Sequence, residues 1–329
     1  MAIASDGSVL SAGTVQADAP GGVTFSSMTA SAAQTLSGYA GADGYLTKVR
    51  ARNALPAARS QPLQRASPEA CAAAHLQHDA SGNLQWVALL GGSGADSVQD
   101  VTIAPDSTVV TGGGFTIFLN TDVVSFGLAG AASPQTTTGY GQGDGFVAKC
   151  TSAGVFTWVT TIGSGYEDVV NSVDTDSTGN VIAGGMFGGG AVGAGTAAAS
   201  VDGTVSTSLT GLGGFDGFVV KMDPNGNLLW AVQIGGSGDD AVTSVAVDSA
   251  GNTYASGSCG STTCAFAGAS GFANSDPSGL TTDAFIVKIS PTGVVLVRVP
   301  EMAIAARSRV LTCDIHFCLR SGAPSWRAI

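Results

Sequence analysis

Acidic residues in glycine-rich turns, regularly placed lysines and a close pair of cysteines carry the chemistry this chain offers. Asp96, Asp168 and Asp240 stand 72 residues apart, each closing a run such as Gly235-Gly236-Ser237-Gly238-Asp239-Asp240. Carboxylates in such turns could bind Ca²⁺ through oxygen, with Asp100, Glu167 and Asp239 nearby. None of the turns has the dense Asp spacing of an EF-hand loop. The simpler reading is turn chemistry, in which Asp accepts bonds from backbone N–H groups. A second set, Asp43, Asp144, Asp216 and Asp283, precedes a run such as Asp216-Gly217-Phe218-Val219-Val220-Lys221. It poses the same choice between a cap and a ring of carboxylates around a channel. Ca²⁺ is the only cofactor these residues suggest.

Five residues after each of the second set lies a lysine: Lys48, Lys149, Lys221 and Lys288, the only lysines in the chain. A lysine on a mostly apolar strand wants a charged partner, expected to be an Asp of its own or an adjacent unit. Four copies of a catalytic amine would be hard to explain. All arginines and histidines fall between residues 50 and 78 or from 298 onward. The regular part of the chain therefore lacks the commonest general base and the commonest anion clamp. Cys259 and Cys264 are close enough in sequence to bridge in an oxidising compartment. Cys150 occupies the place of Met222 and Ile289 and reads as buried core.

The elements that must position these residues are short strands. Asp144, Lys149, Trp158, Gly163 and Asp168 reappear 72 residues later as Asp216, Lys221, Trp230, Gly235 and Asp240, and Trp86 and Asp96 stand 72 before. A fixed period with this many matches is a structural repeat. Runs rich in Val, Ile, Thr and Phe between Gly, Asn and Asp turns describe an all-β chain. In the third copy four strands are expected near 171–176, 180–186, 216–222 and 227–234, with a glycine-rich loop of about thirty residues between the second and third. Trp86, Trp158 and Trp230 share a strand face with apolar residues, as core packing between units requires, against the alternative of an exposed sugar-stacking platform. The units span about 1–92, 93–164, 165–236 and 237–297. Residues 50–78 interrupt them as a non-repeat insertion, and 298–329 form a non-repeat tail expected to be disordered. Both segments begin with a Val-Arg pair and read as translated intron or mis-assigned exon. The last unit is expected to lack its closing strand.

The Asp-Gly-Phe-x-x-Lys run, the Gly-Asn turn, the tryptophan strand and the Gly-Gly-x-Gly-x-Asp exit together resemble the SBBP repeat of β-propellers. The looser blade plan is also similar to NHL propellers. The resemblance implies four-stranded antiparallel blades set radially, about four of them here, as an incomplete ring or part of a larger, seven-bladed propeller. It brings no catalytic residue set. It implies a secreted or surface-associated protein, although the chain opens directly on a strand pattern with no signal peptide.

The charge balance of −11 argues against nucleic acid, whose phosphates need a basic surface. No apolar run reaches the length of a membrane-spanning helix. The expected role is a non-catalytic scaffold that binds a protein or glycan through its loops, with self-association through open propeller ends. The alternatives are a hydrolase or lyase using Asp carboxylates or a bound metal, and a gene fragment without independent function.

Overall fold

The computed structural model describes residues 2–3, 8–15, 23–25, 34–36, 72–78, 84–92, 94–117, 123–128, 134–188, 198–201, 205–267, 269–276 and 281–300. The described residues are all-β: four antiparallel sheets that form a partial propeller, and a separate hairpin pairing Val23–Phe25 with Gln34–Leu36. Blade one holds Ala2–Ile3, Val9–Val15, Ala72–His78 and Leu84–Gly91; blade two holds Asp96–Ile103, Val109–Thr116, Gly143–Cys150 and Phe156–Gly163. Blade three holds Val169–Thr175, Val181–Gly188, Phe215–Met222 and Leu228–Gly235; blade four holds Asp240–Val247, Thr253–Cys259, Asp283–Ile289 and Val295–Pro300. Among the described residues no helix is long and apolar enough to cross a membrane.

Local chemistry sets the turns. Asp176 Oδ1 accepts from the backbone N–H of Thr178 and of Asn180, at 2.9 and 3.0 Å. Gly179 supplies the left-handed φ of 83° that closes the hairpin. Asp223 with Gly226 and Asp248 with Gly251 build the same turn. The first strands of blades two, three and four each carry a bulge, at Gln99, Asn171 and Thr243, where pairing skips a residue.

The sheets hold more than four strands because the long glycine-rich loops fold. Val124–Leu128 and Gln135–Thr137, Ala198–Val201 and Val205–Thr210, and Thr263–Phe266 and Ala269–Ala273 are hairpins. Each leaves its own blade and pairs with the outer strand of the preceding one: Gly91 with Ser125, Gly163 with Ser200, Gly235 with Ala265. Blades one to three thereby become six-stranded, and blade four keeps four strands. Parts of the loops expected to bind partners are thus sheet edge.

Two boundaries differ from the sequence expectation. Residues 72–78, inside the supposed insertion, form the third strand of blade one, with Gln77 opposite Trp86 as Lys149 is opposite Trp158. Asp43 and Lys48, the expected occupants of that strand, lie outside the described residues. The closing strand expected to be missing from the fourth unit is present: Val295–Pro300 pairs with Asp283–Ile289, running three residues past the presumed end of the repeats. Val297 sits opposite Lys288, the place tryptophan holds in earlier blades.

Three apolar clusters fill the three blade junctions. Leu90, Val98, Phe126 and Phe146 pack between blades one and two, Val147, Val170, Val173 and Phe218 between two and three, and Val219, Val242, Val245 and Phe285 between three and four. Glycine permits the close approach. A Cβ on Gly112 would meet Val170 Cγ1 at 2.5 Å, and one on Gly184 would meet Val245 Cγ1 at 2.6 Å.

Candidate functional site

The chemistry-bearing positions gather at the blade junctions. At one end of blades one to three the tryptophan reaches forward. Trp86 Nε1 donates to Ser152 O at 2.9 Å, Trp158 Nε1 to Pro224 O at 3.0 Å and Trp230 Nε1 to Pro291 O at 2.9 Å, each acceptor being in a turn of the next blade. The turn glycines Gly154, Gly226 and Gly293 lie flat on these rings, with φ of 80–89°. A Cβ on them would come within about 3 Å of ring carbons. The indoles are therefore fastened between blades and are not a free stacking platform.

The lysines pair with the hairpin-turn aspartates of their own blades. Lys149 meets Asp106 at 3.4 Å, Lys221 meets Asp176 at 2.8 Å and Lys288 meets Asp248 at 3.5 Å. Lys221 and Asp176 are both buried. Burial opposes ionisation of Asp176, but bonds from Lys221, Asn180 and Thr178 hold its carboxyl well below the usual range. Inner strands are tied across blades by side-chain acceptors: Asp100 Oδ2 takes bonds from Ser172 Oγ and Val173 N, at 2.9 and 3.0 Å, and Asp174 Oδ2 from Val247 N at 3.0 Å.

Both aspartate sets cap backbone. Asp96, Asp168 and Asp240 accept from the N–H four residues back, Gly92 at 3.0 Å, Ser164 at 2.6 Å and Gly236 at 2.8 Å. Asp168 also binds Ser164 Oγ and Gly188 N, and Asp240 also binds Ser261 through its N–H and Oγ. Asp144 accepts from Tyr140 N at 3.1 Å, Asp216 from Leu212 N at 2.6 Å and Asp283 from Ser275 N at 2.6 Å. Burial pushes the Asp144 carboxyl up to about 6 and that of Asp168 to about 7, against the opposing pull of their N–H donors. Burial likewise raises Asp216 to about 6, with the Asp240 charge adding to it.

At the junction of blades three and four these aspartates meet two thiols. Cys259 ends the second strand of blade four, opposite Asp240. Cys264 lies on the hairpin added to blade three. Both are buried free thiols, not the disulfide their spacing allowed. Their Sγ atoms and a carboxylate oxygen of Asp240 all lie within 4.8 Å of one another.

Residues 229–261 match the family model of the SBBP beta-propeller repeat. That stretch carries the SBBP-type β-propeller repeat. The matched stretch takes in Trp230, Asp240 and Cys259. A 103-residue part of the chain, 31% of it, is 34% identical to an uncharacterized WD repeat-containing protein, L264, of Acanthamoeba polyphaga mimivirus. The alignment spans 7% of that relative's length.

Within the blades, each Asp, Lys and Trp position singled out by spacing and described in the structure serves its own blade or a junction. Spacing did not bring Cys264 to Asp240 and Asp216, because the contact depends on a hairpin that crosses to the preceding sheet. One signal was available. By strand pairing, Cys259 stands where Phe115 and Phe187 stand in earlier blades, and Cys264 where Val124 stands. Two repeat positions turn to cysteine together in one unit only.

Proposed function

We propose that the chain is a non-catalytic propeller scaffold whose fourth blade receives a further blade of the same kind, from a second copy or from a longer product. The observation that carries this reading is Ile286. Its counterparts Val147 and Val219 are 0% exposed beneath the following blade, whereas Ile286 is 45% exposed. Among the described residues, the neighbouring strand Val295–Pro300 also has no added hairpin. A following unit would supply both missing pieces at once, an inner strand over Ile286 and a hairpin along the edge. The non-catalytic reading is supported by the raised carboxyls. Asp144, Asp168 and Asp216 are buried repeat positions engaged in capping, which suits structure better than an acid–base pair open to substrate.

In this reading the hairpins, whose sequences differ between units, form the rim that meets protein or glycan partners outside the cell or on its surface. The test is the mass of the full chain in solution. Concentration-dependent association that Ile286→Glu abolishes, with unchanged circular dichroism, is the expected result. A chain that stays monomeric at every concentration, or association indifferent to Ile286→Glu, would refute the open-face reading.

A further inference from the structure

The geometry points to a metal site at the junction of blades three and four, in which Cys259, Cys264, Asp240 and Asp216 hold one borderline-soft divalent cation of the Zn²⁺ class. Three ligand atoms, the two sulfurs and an Asp240 oxygen, lie within 4.8 Å of one another. A tetrahedral Zn²⁺ with arms of about 2.3 Å to sulfur would set two sulfurs about 3.8 Å apart. Closing these three ligands onto an ion therefore takes movements of under about 1 Å. The fourth position is marked independently. Asp216 is fully buried, and among the described residues its Oδ1 has no partner of hydrogen-bond geometry. That oxygen and Asp240 Oδ2 flank the same face of Gly235, where a Cβ would lie 2.0 Å from the first and 3.2 Å from the second. An orphaned carboxylate oxygen at zero exposure is costly, and a cation would satisfy it.

The remaining surroundings suit a ligand set. Asp240 is held by Gly236 N and by both donors of Ser261, and Ser261 Oγ accepts from Gly238 N at 2.8 Å. Such outer partners orient a ligating carboxylate. Without a metal the Cys259 thiol donates to Ser261 O at 3.7 Å. Binding exchanges two S–H bonds for two metal–thiolate bonds and releases two protons, with no oxidant required. The ligands come from blade four, through Asp240 and Cys259, and from the sheet of blade three, through Asp216 and Cys264. The ion would therefore cross-link two blades at the junction where Phe115 and Val124 hold the equivalent positions between blades one and two.

The test uses the full reduced chain and Co²⁺ as probe, with Zn²⁺ as competitor. One Co²⁺ per chain, with a thiolate-to-cobalt charge-transfer band that Zn²⁺ displaces, is expected. Cys259→Ala/Cys264→Val, which brings apolar residues like those of earlier blades, should keep the circular dichroism and lose the band. Cys313→Ala/Cys318→Ala should keep it. Asp216→Asn should weaken binding by about 10–100-fold, at least the loss seen when an outer partner of a ligand is removed. The assignment is overturned if the reduced chain binds no Co²⁺, or if binding survives the Cys259→Ala/Cys264→Val change. A Cys259–Cys264 disulfide in protein isolated without reductant would overturn it equally.

Discussion

Gly184 tests whether the blades are held together by close fit across their junctions. The residue lies mid-strand in blade three, and an added Cβ would stand 2.6 Å from Val245 Cγ1 and 2.7 Å from Val242 Cγ1. Carbon atoms prefer about 3.5–4.0 Å, so two methyls would each be overlapped by about 1 Å. Valine is stiff at χ1, and both valines are fully buried, so neither can swing aside. Overpacking of this kind costs about 1–3 kcal/mol. Replacing a strand glycine by alanine otherwise gains about 0.5–1 kcal/mol. Gly184→Ala should therefore destabilise by about 1–2 kcal/mol. Val245→Ala alone should also destabilise, through the cavity it leaves, by about 1–3 kcal/mol. In the double variant the new methyl occupies space the valine has vacated, so the two losses should fall short of their sum by about 1–2 kcal/mol. Urea unfolding followed by circular dichroism gives all three values. Gly179→Ala is the control: it should destabilise through its φ of 83°, where the nearest neighbour is Pro224 Cγ at 3.7 Å, and Val245→Ala should not rescue it. Strict additivity of Gly184→Ala and Val245→Ala would refute the close-fit argument.

Three further outcomes follow from the junction chemistry. Asp176→Asn should cost about 3–5 kcal/mol by leaving Lys221 buried and unpaired, while Asp248→Asn, whose pair with Lys288 is about a quarter exposed, should cost about 1 kcal/mol or less; comparable losses in urea unfolding would contradict the burial argument. Asp144 and Asp168 bind a proton more tightly folded than unfolded, where the carboxyl titrates near 3.8. Stability present in mild acid should thus be lost as pH rises from about 4 through about 7, and Asp168→Asn should flatten that slope; melting temperatures that climb across the same range would show that the caps are ionised throughout. Trp158→Phe removes the donor to Pro224 O and should lower stability by about 1 kcal/mol beyond any loss of packing area, with a neutral result speaking against a fastened indole.

Much of the blade was legible in the chain. The strands of the third unit lie within two residues of the boundaries inferred from Val, Ile and Phe runs between Asp-x-x-Gly-Asn turns, because alternation and turn chemistry are both local. The hairpins were not legible. Ala198–Val201 and Val205–Thr210 are built from Ala, Ser, Thr and Val with a single Leu, amid glycine, with too little apolar alternation to separate strand from loop. Their partner strand lies in a different unit. Val295–Pro300 was missed because the tryptophan that marks its place elsewhere is Val297 here. Residues 72–78 were set aside on composition, although backbone pairing places them in the sheet. The cysteine pair was visible as a sequence neighbourhood. Its company with Asp216 and Asp240 was not, since that depends on Gly235 pairing with Ala265 across units.

The hairpins also impose an order on synthesis. A blade's four strands can pair as soon as they leave the ribosome, but its outer strand shows a bare row of N–H and C=O groups until the next unit has been made. Leu228–Gly235 waits for Thr263–Phe266, as Leu84–Gly91 waits for Val124–Leu128. Each nascent blade thus passes through an interval in which its rim is a template for a stray strand, and polysomes crowd many such rims together. The chain closes these intervals one at a time, from the N-terminus onward, so a stall within a hairpin would leave the blade before it with a bare rim and the one being built with only its first two strands.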